Sequence, residues 1–290
     1  MSSSAPTSAS TSTSTHVRAV PFAPTTAAGS NLKVTQARVL RSEWTKLRSL
    51  RSSIYTLTAA VVFMVGLGVW VSAITAGQYS TYTASDRASF NAISTSLIGV
   101  LLAQMAVGVL GVLLASGEYS TGMIRASLTV VPRRLPVLWG KLAVFAGTVF
   151  SVMLIASFAA FFLGQSLLNG QHIGVAISSP HALRSVIGAA LYLTVAGLIG
   201  VALGALLRNT AAAVSVFTAL FFVVPIVTNF FPASISDHVD KYLPSNAGGP
   251  IYGATGVDHA LAPWTGFALV CGYAAVLIGV AAWRLRRADA

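Results

Sequence analysis

Six long apolar stretches, none containing an Asp, Glu, Lys, Arg or His, divide this chain of 290 residues. They run Ile54–Ile74, Thr95–Ser116, Leu142–Leu163, Ser185–Leu207, Ala211–Asn229 and Trp264–Trp283. Each holds about 19 to 23 residues, which at ~1.5 Å of rise per residue matches a hydrocarbon core ~30 Å thick. The fold class this predicts is an all-α membrane protein with six transmembrane helices. The missing charge narrows function as well. A carrier driven by an ion gradient needs ionisable groups at membrane depth, where they are costly and kept for function. These spans have none, so any transport is driven from outside the bilayer.

The loops carry the charge. Net charge is +11, and only 9% of residues are charged, against roughly a quarter in a soluble domain. A basic chain raises the question of nucleic acid, but here the Lys and Arg lie between apolar spans, and no nucleic-acid partner is expected. Counted on alternate sides of the spans, fifteen of the eighteen fall on one side; only Arg87, Arg184 and Lys241 fall on the other. The positive-inside rule then places both termini in the cytoplasm and supports an even number of spans.

Residues 1–31 are rich in Ser, Thr, Ala and Pro and nearly uncharged, and read as a disordered cytoplasmic tail. They lack the basic and apolar regions of a signal peptide. The six-span body is expected over 32–287. From about Leu32 to Ser52, Ala37, Leu40, Trp44 and Leu47 recur at helical spacing, flanked by Arg41 and Arg48, with Arg38 and Lys46 pointing away. This predicts an amphipathic helix along the cytoplasmic interface, with Trp44 at headgroup depth and its arginines reaching phosphates.

Between the second and third spans the sequence predicts a short amphipathic cytoplasmic helix. Glu118 opens it, where a carboxylate suits the positive end of the dipole. Ile124, Leu128 and Val131 form its ridge, with Arg125 off that ridge. Pro132 stops it, Arg133 and Arg134 form the turn, and Pro136 starts the third span, with Trp139 and Lys141 at the interface. A rigid helix pinned between two spans suits a lever with one face for the body and one for a partner. On the other side, the long 230–263 loop is rich in Pro and Gly, and its apolar patches predict short helices or turns folded back onto the outer membrane surface. Pro225 is expected to kink the fifth span.

Several chemistries lack their signatures. There is no Gly-x-x-x-x-Gly-Lys-[Ser/Thr], so no P-loop for ATP, and no Gly-x-Ser-x-Gly elbow. Asp237, His238 and Asp240 read as an exposed turn rather than a metal site. Cys271, the single cysteine, reads as apolar filler. Gly197, Gly200 and Gly204 in the fourth span allow close helix packing, by default inside one subunit. Phe150, Phe158, Phe161, Phe217, Phe221 and Phe222 suit either an amphiphilic cargo or, more commonly, lipid.

Glu43-x-x-Lys46-Leu47, then Glu118-Tyr119-x-x-Gly122-x-x-Arg125, Pro132-Arg133-Arg134 and Lys141, resemble the permease subunits of type-2 ABC exporters, particularly the actinobacterial branch. The resemblance covers about Ala37 to Arg287. It implies half of a membrane transporter, paired with a second permease copy as a homodimer or heterodimer in the bacterial plasma membrane. It also implies a separate ABC ATPase subunit that holds ATP and Mg, the chain itself being no enzyme and carrying no cofactor. By position, Glu118, Tyr119, Gly122, Arg125, Arg133 and Arg134 would line the ATPase-coupling surface, and the ATPase would also dock on the interfacial helix bearing Arg41, Glu43, Trp44, Lys46 and Arg48. The other classes are a non-transporting membrane scaffold or sensor, and a secondary carrier, which the uncharged spans disfavour.

Overall fold

The computed structural model describes residues 36–120, 134–232, 236, 238–253 and 260–287, excepting the side chains of 36–39, 118–120 and 134–137. The 1–31 tail, Asp237 and the ridge Ile124, Leu128 and Val131 lie outside the described residues.

Six helices are long and apolar enough to cross a membrane, in the places the sequence marks. Helix α1 (Gln36–Ser49) precedes α2 (Arg51–Gln78), the first span; the break falls at Leu50, whose backbone is extended. Two short helices, α3 (Ala84–Ser89) and α4 (Ala92–Ser96), lead into α5 (Val100–Ser120), the second span. The third and fourth spans are α6 (Arg134–Asn169) and α7 (Ala182–Leu207). The fifth joins α8 (Thr210–Thr218), a π-helical turn (Ala219–Val223) and α9 (Val224–Thr228). Helix α10 (Pro244–Gly248) lies in the long loop, and α11 (Pro263–Arg287) is the sixth span.

Helix α7 is the axis of the bundle. It packs most extensively on α5, then on α6 and α11, while α2 closes the far side against α5 and α6. Small residues make this possible. A Cβ on Gly111 would overlap the Gly197 carbonyl, one on Gly200 the Gly108 carbonyl, and one on Gly204 would come within 2.7 Å of the Val112 carbonyl. Without side chains between them the two backbones touch, which is how helices gain contact where lipid supplies no hydrophobic drive. The fourth-span glycines therefore pack inside the subunit.

Three expectations need correction. The second span is not one helix from Thr95: the chain turns at residues 97–99 between α4 and α5. Gln165 secures that turn, its Nε2 donating to the Ala92 carbonyl at 2.8 Å and to Ser96 Oγ at 2.9 Å, and its Oε1 accepting from the Val175 N–H at 2.7 Å. A broken helix at membrane depth is stable only where protein satisfies its backbone.

Second, residues 244–252 of the 230–263 loop do not lie back on the outer surface. Helix α10 and the 3₁₀ turn Gly249–Tyr252 pack against both α7 and α11, with Ala247, Gly248, Gly249 and Ile251 buried. Glycines again make room: a Cβ on Gly188 would overlap the Ile251 carbonyl, one on Gly248 the Tyr192 ring, and one on Gly266 the Ala247 carbonyl. Tyr192, buried ten residues along α7, packs at a tilt against Tyr252 at 5.2 Å between ring centroids and donates its hydroxyl to Gln104 Oε1 at 2.6 Å. The segment thus reaches ~15 Å down α7.

Third, the phenylalanines divide. Phe161, Phe217 and Phe221 are core, whereas Phe150, Phe158 and Phe222 are half-buried. Pro225 sits two residues after the π-helical turn. Proline has no N–H and its ring crowds the carbonyl four residues back, so the helix takes the wider turn, the Val224 N–H reaching the Ala219 carbonyl. All five tryptophans are exposed: Trp139 and Trp283 at one end of the spans, Trp70 and Trp264 toward the other, and Trp44 on α1. Paired aromatic belts of this kind mark the two membrane–water interfaces.

Candidate coupling site

The end of the bundle that carries α1, the end of α5 and the start of α6 concentrates the basic residues. Three spans end there with their C-termini, where unpaired carbonyls form the negative end of each dipole. Cations lie against these ends and the turns before them. Lys141 of α6, 5% exposed, donates from Nζ to the Leu114 carbonyl of α5 at 3.1 Å. Arg284 of α11 donates to the Leu206 carbonyl at the end of α7. Arg208 closes α7 in the left-handed region with φ 53°, its backbone N–H on the Gly204 carbonyl. A hydroxyl pair joins the second span to the fifth: Ser116 Oγ and Thr210 Oγ1 lie 2.8 Å apart. Each of these contacts links two different spans or seals a terminus, so this end is cross-braced.

The predicted coupling residues fall around that brace. Glu118 and Tyr119 do not open a separate helix. They occupy the last turn of α5, which runs through Gly117 to Ser120. Glycine lowers helix propensity but does not break a helix, and no proline intervenes until Pro132. Arg134 is the first residue of α6, with Pro136 in its first turn, where a missing N–H costs nothing. Gly122, Arg125 and Arg133 lie outside the described residues. Lys141, expected at the interface beside exposed Trp139, is turned inward instead.

Helix α1 also differs from its predicted single apolar face. Leu47 is buried and so is Glu43, 4% exposed, against the side where α1 packs on α6. Glu43 Oε1 accepts from Lys46 Nζ at 2.7 Å, so the carboxylate enters the protein with a cation attached. Leu40, Trp44, Arg41 and Arg48 remain exposed. The apolar ridge is therefore divided: its Leu47 edge meets protein and its Leu40–Trp44 edge does not.

The reading of the residues alone missed the Ser116–Thr210 pair and the Arg284–Leu206 contact. Hydroxyl residues are common at span ends, and no spacing rule relates positions 94 residues apart. The brace between α5 and α7 was half visible, as Gly197, Gly200 and Gly204, while its counterpart, Gly108 and Gly111, carries the same signal at a spacing of three.

The model of the family described as ABC-2 family transporter protein matches residues 39–227, nearly the whole stretch from α1 to the fifth span. No curated protein is similar enough to match the chain. Six spans, the braced basic end and this match agree: the chain belongs to the ABC-2 transporter family, as a membrane permease.

Proposed function

We propose that this permease is the membrane half of an ATP-driven exporter, worked from its basic, cytoplasmic end by a separate ABC ATPase subunit that binds ATP and Mg. In this reading it sits in the bacterial plasma membrane, both termini face the cytoplasm, and two permease copies, identical or related, form the pathway. Glu118, Tyr119, Gly122, Arg125, Arg133 and Arg134 form the coupling surface. The chain hydrolyses nothing itself.

One observation carries this reading. Glu118 and Tyr119 of the coupling surface lie in the last turn of α5, and α5 is locked backbone to backbone on α7, the most buried span. A push on the end of α5 therefore reaches the centre of the bundle without passing through a flexible joint. Uncharged spans support the same reading, since they leave the power source outside the membrane. The π-helical turn before Pro225 supplies a place where the fifth span can bend: α8, held to α5 by Ser116–Thr210, moves with the core while α9 swings.

The test is extraction of the tagged chain from its native membranes. It should retain an ABC ATPase whose ATP turnover in nanodiscs changes when the permease is present. Arg125→Ala should weaken that change at least tenfold with the complex still assembled. A chain that retains no ATPase, or that moves cargo uphill alone, contradicts the reading.

A further inference from the structure

We propose that the outer face of α1 is a binding surface for anionic phospholipid, held in register by the buried Glu43–Lys46 pair. The family resemblance assigns α1 as a whole to the ATPase; its packing separates the helix into arcs with different partners. With Glu43 as zero and about 100° per residue, Leu47 lies at about 40°, Leu40 at about 60°, Trp44 at about 100°, Arg48 at about 140° and Arg41 at about 160°. Thr45, Ser49 and Ser42 follow at about 200° to 260°, and Lys46 returns at about 300° beside Glu43.

Glu43 and Leu47 are buried and α1 packs on α6, so the first arc faces protein. The next arc exposes Leu40 and Trp44, the residues of an acyl–headgroup boundary. Arg48 and Arg41 flank it, two helical turns apart on one side of Trp44, and both are exposed. Among the described residues neither guanidinium has a salt-bridge partner. The arc after them is polar, holding Thr45, Ser49, Ser42 and, at about 220°, Arg38, and faces away from the apolar side. This order, protein then apolar then cationic then polar, is that of a helix seated at headgroup depth.

Charge complementarity selects the occupant. The only acid of α1 is withdrawn into the protein and paired with Lys46, leaving the exposed arcs with positive charge alone. An exposed indole beside two exposed guanidiniums fits a phosphodiester whose chains lie alongside it, and the net negative charge of a phosphatidylglycerol-type headgroup is preferred over a zwitterion. Lys46 has no share in this surface, and neither has Glu43. The inference stands whether or not an ATPase drives the permease.

The experiment is native mass spectrometry of the full chain released from nanodiscs of phosphatidylcholine with a minor fraction of phosphatidylglycerol, counting retained lipids of each kind. Wild type should retain phosphatidylglycerol selectively. The R41Q/R48Q variant should lose about thirtyfold in that preference, at roughly a factor of five to ten per arginine near the surface. R41K/R48K should keep most of it. R286Q/R287Q, removing the same charge at the end of α11, should leave it within about threefold. The proposal is overturned if R41Q/R48Q retains the preference, if R286Q/R287Q loses as much, or if R41Q/R48Q keeps its lipid yet sheds a co-purifying ATPase.

Discussion

Helix α7 and the fifth span are equally apolar, and they occupy opposite situations. Over its most apolar stretch, 83% of α7 is buried, against 17% of the fifth span. What separates them is size, not hydropathy. α7 presents glycine and alanine to its neighbours, so backbones approach it from several sides. The fifth span keeps one inward ridge, Phe217 and Phe221, stacked at 4.5 Å, and turns Val216, Val223, Val224, Ile226 and Val227 outward. In a membrane, where lipid and core are equally greasy, small residues tell which helix is central.

Adding bulk at matched positions is the strongest way to break that contrast. Gly200→Leu, which drives a side chain into the Gly108 backbone, should cost about 3 kcal/mol or more and remove most folded protein. Ala212→Leu on the exposed face of α8 should stay within about 0.5 kcal/mol. Thermal midpoints of the detergent-extracted variants measure both, and equal losses would deny that α7 is special.

The sequence told the number of the spans well, because charge cannot be hidden in hydrocarbon. It told less where one residue type has two uses. Glycine and proline in the 230–263 segment signal an irregular chain, and that is correct. They do not say whether the irregular chain lies on lipid or enters the bundle, since the deciding glycines, Gly188 and Gly266, are on other helices. Glu118 likewise suits a helix start by charge, and nothing local reveals that α5 runs past it. Leu47 and Trp44 read alike on a helical wheel; α6 decides that one is buried and the other is not.

A smaller effect tests the polar link between α5 and α7. Tyr192→Phe removes the hydroxyl that reaches Gln104 and leaves a buried carbonyl unanswered, for a loss of about 1 kcal/mol in thermal stability. No loss would mean that the contact between α5 and α7 rests on its glycines alone.

The smallest effect is confined to α3. Thr83 caps it: its Oγ1 accepts from the Asp86 N–H, and Asp86 answers the Thr83 N–H. Thr83→Ala should speed amide exchange over residues 84–89 about fivefold and leave the global midpoint unchanged. The Thr83 hydroxyl, and then its backbone N–H, hold the Asp86 carboxyl below its ordinary value. The cap is therefore fully present above the ordinary carboxylate pKa and is lost only as pH falls through the lower folded value.

The central claim is that α5, α7 and α8 move as one body while the fifth span bends at Ala219–Val223. Cys271→Ser leaves a chain without cysteine, ready for paired spin labels. In the ATPase complex, labels at Leu113 and Leu207 should keep one distance with and without ATP, while labels at Leu183 and Ile226 shift by several ångströms. A Leu113–Leu207 distance that changes with nucleotide as much as the Leu183–Ile226 distance would contradict the account.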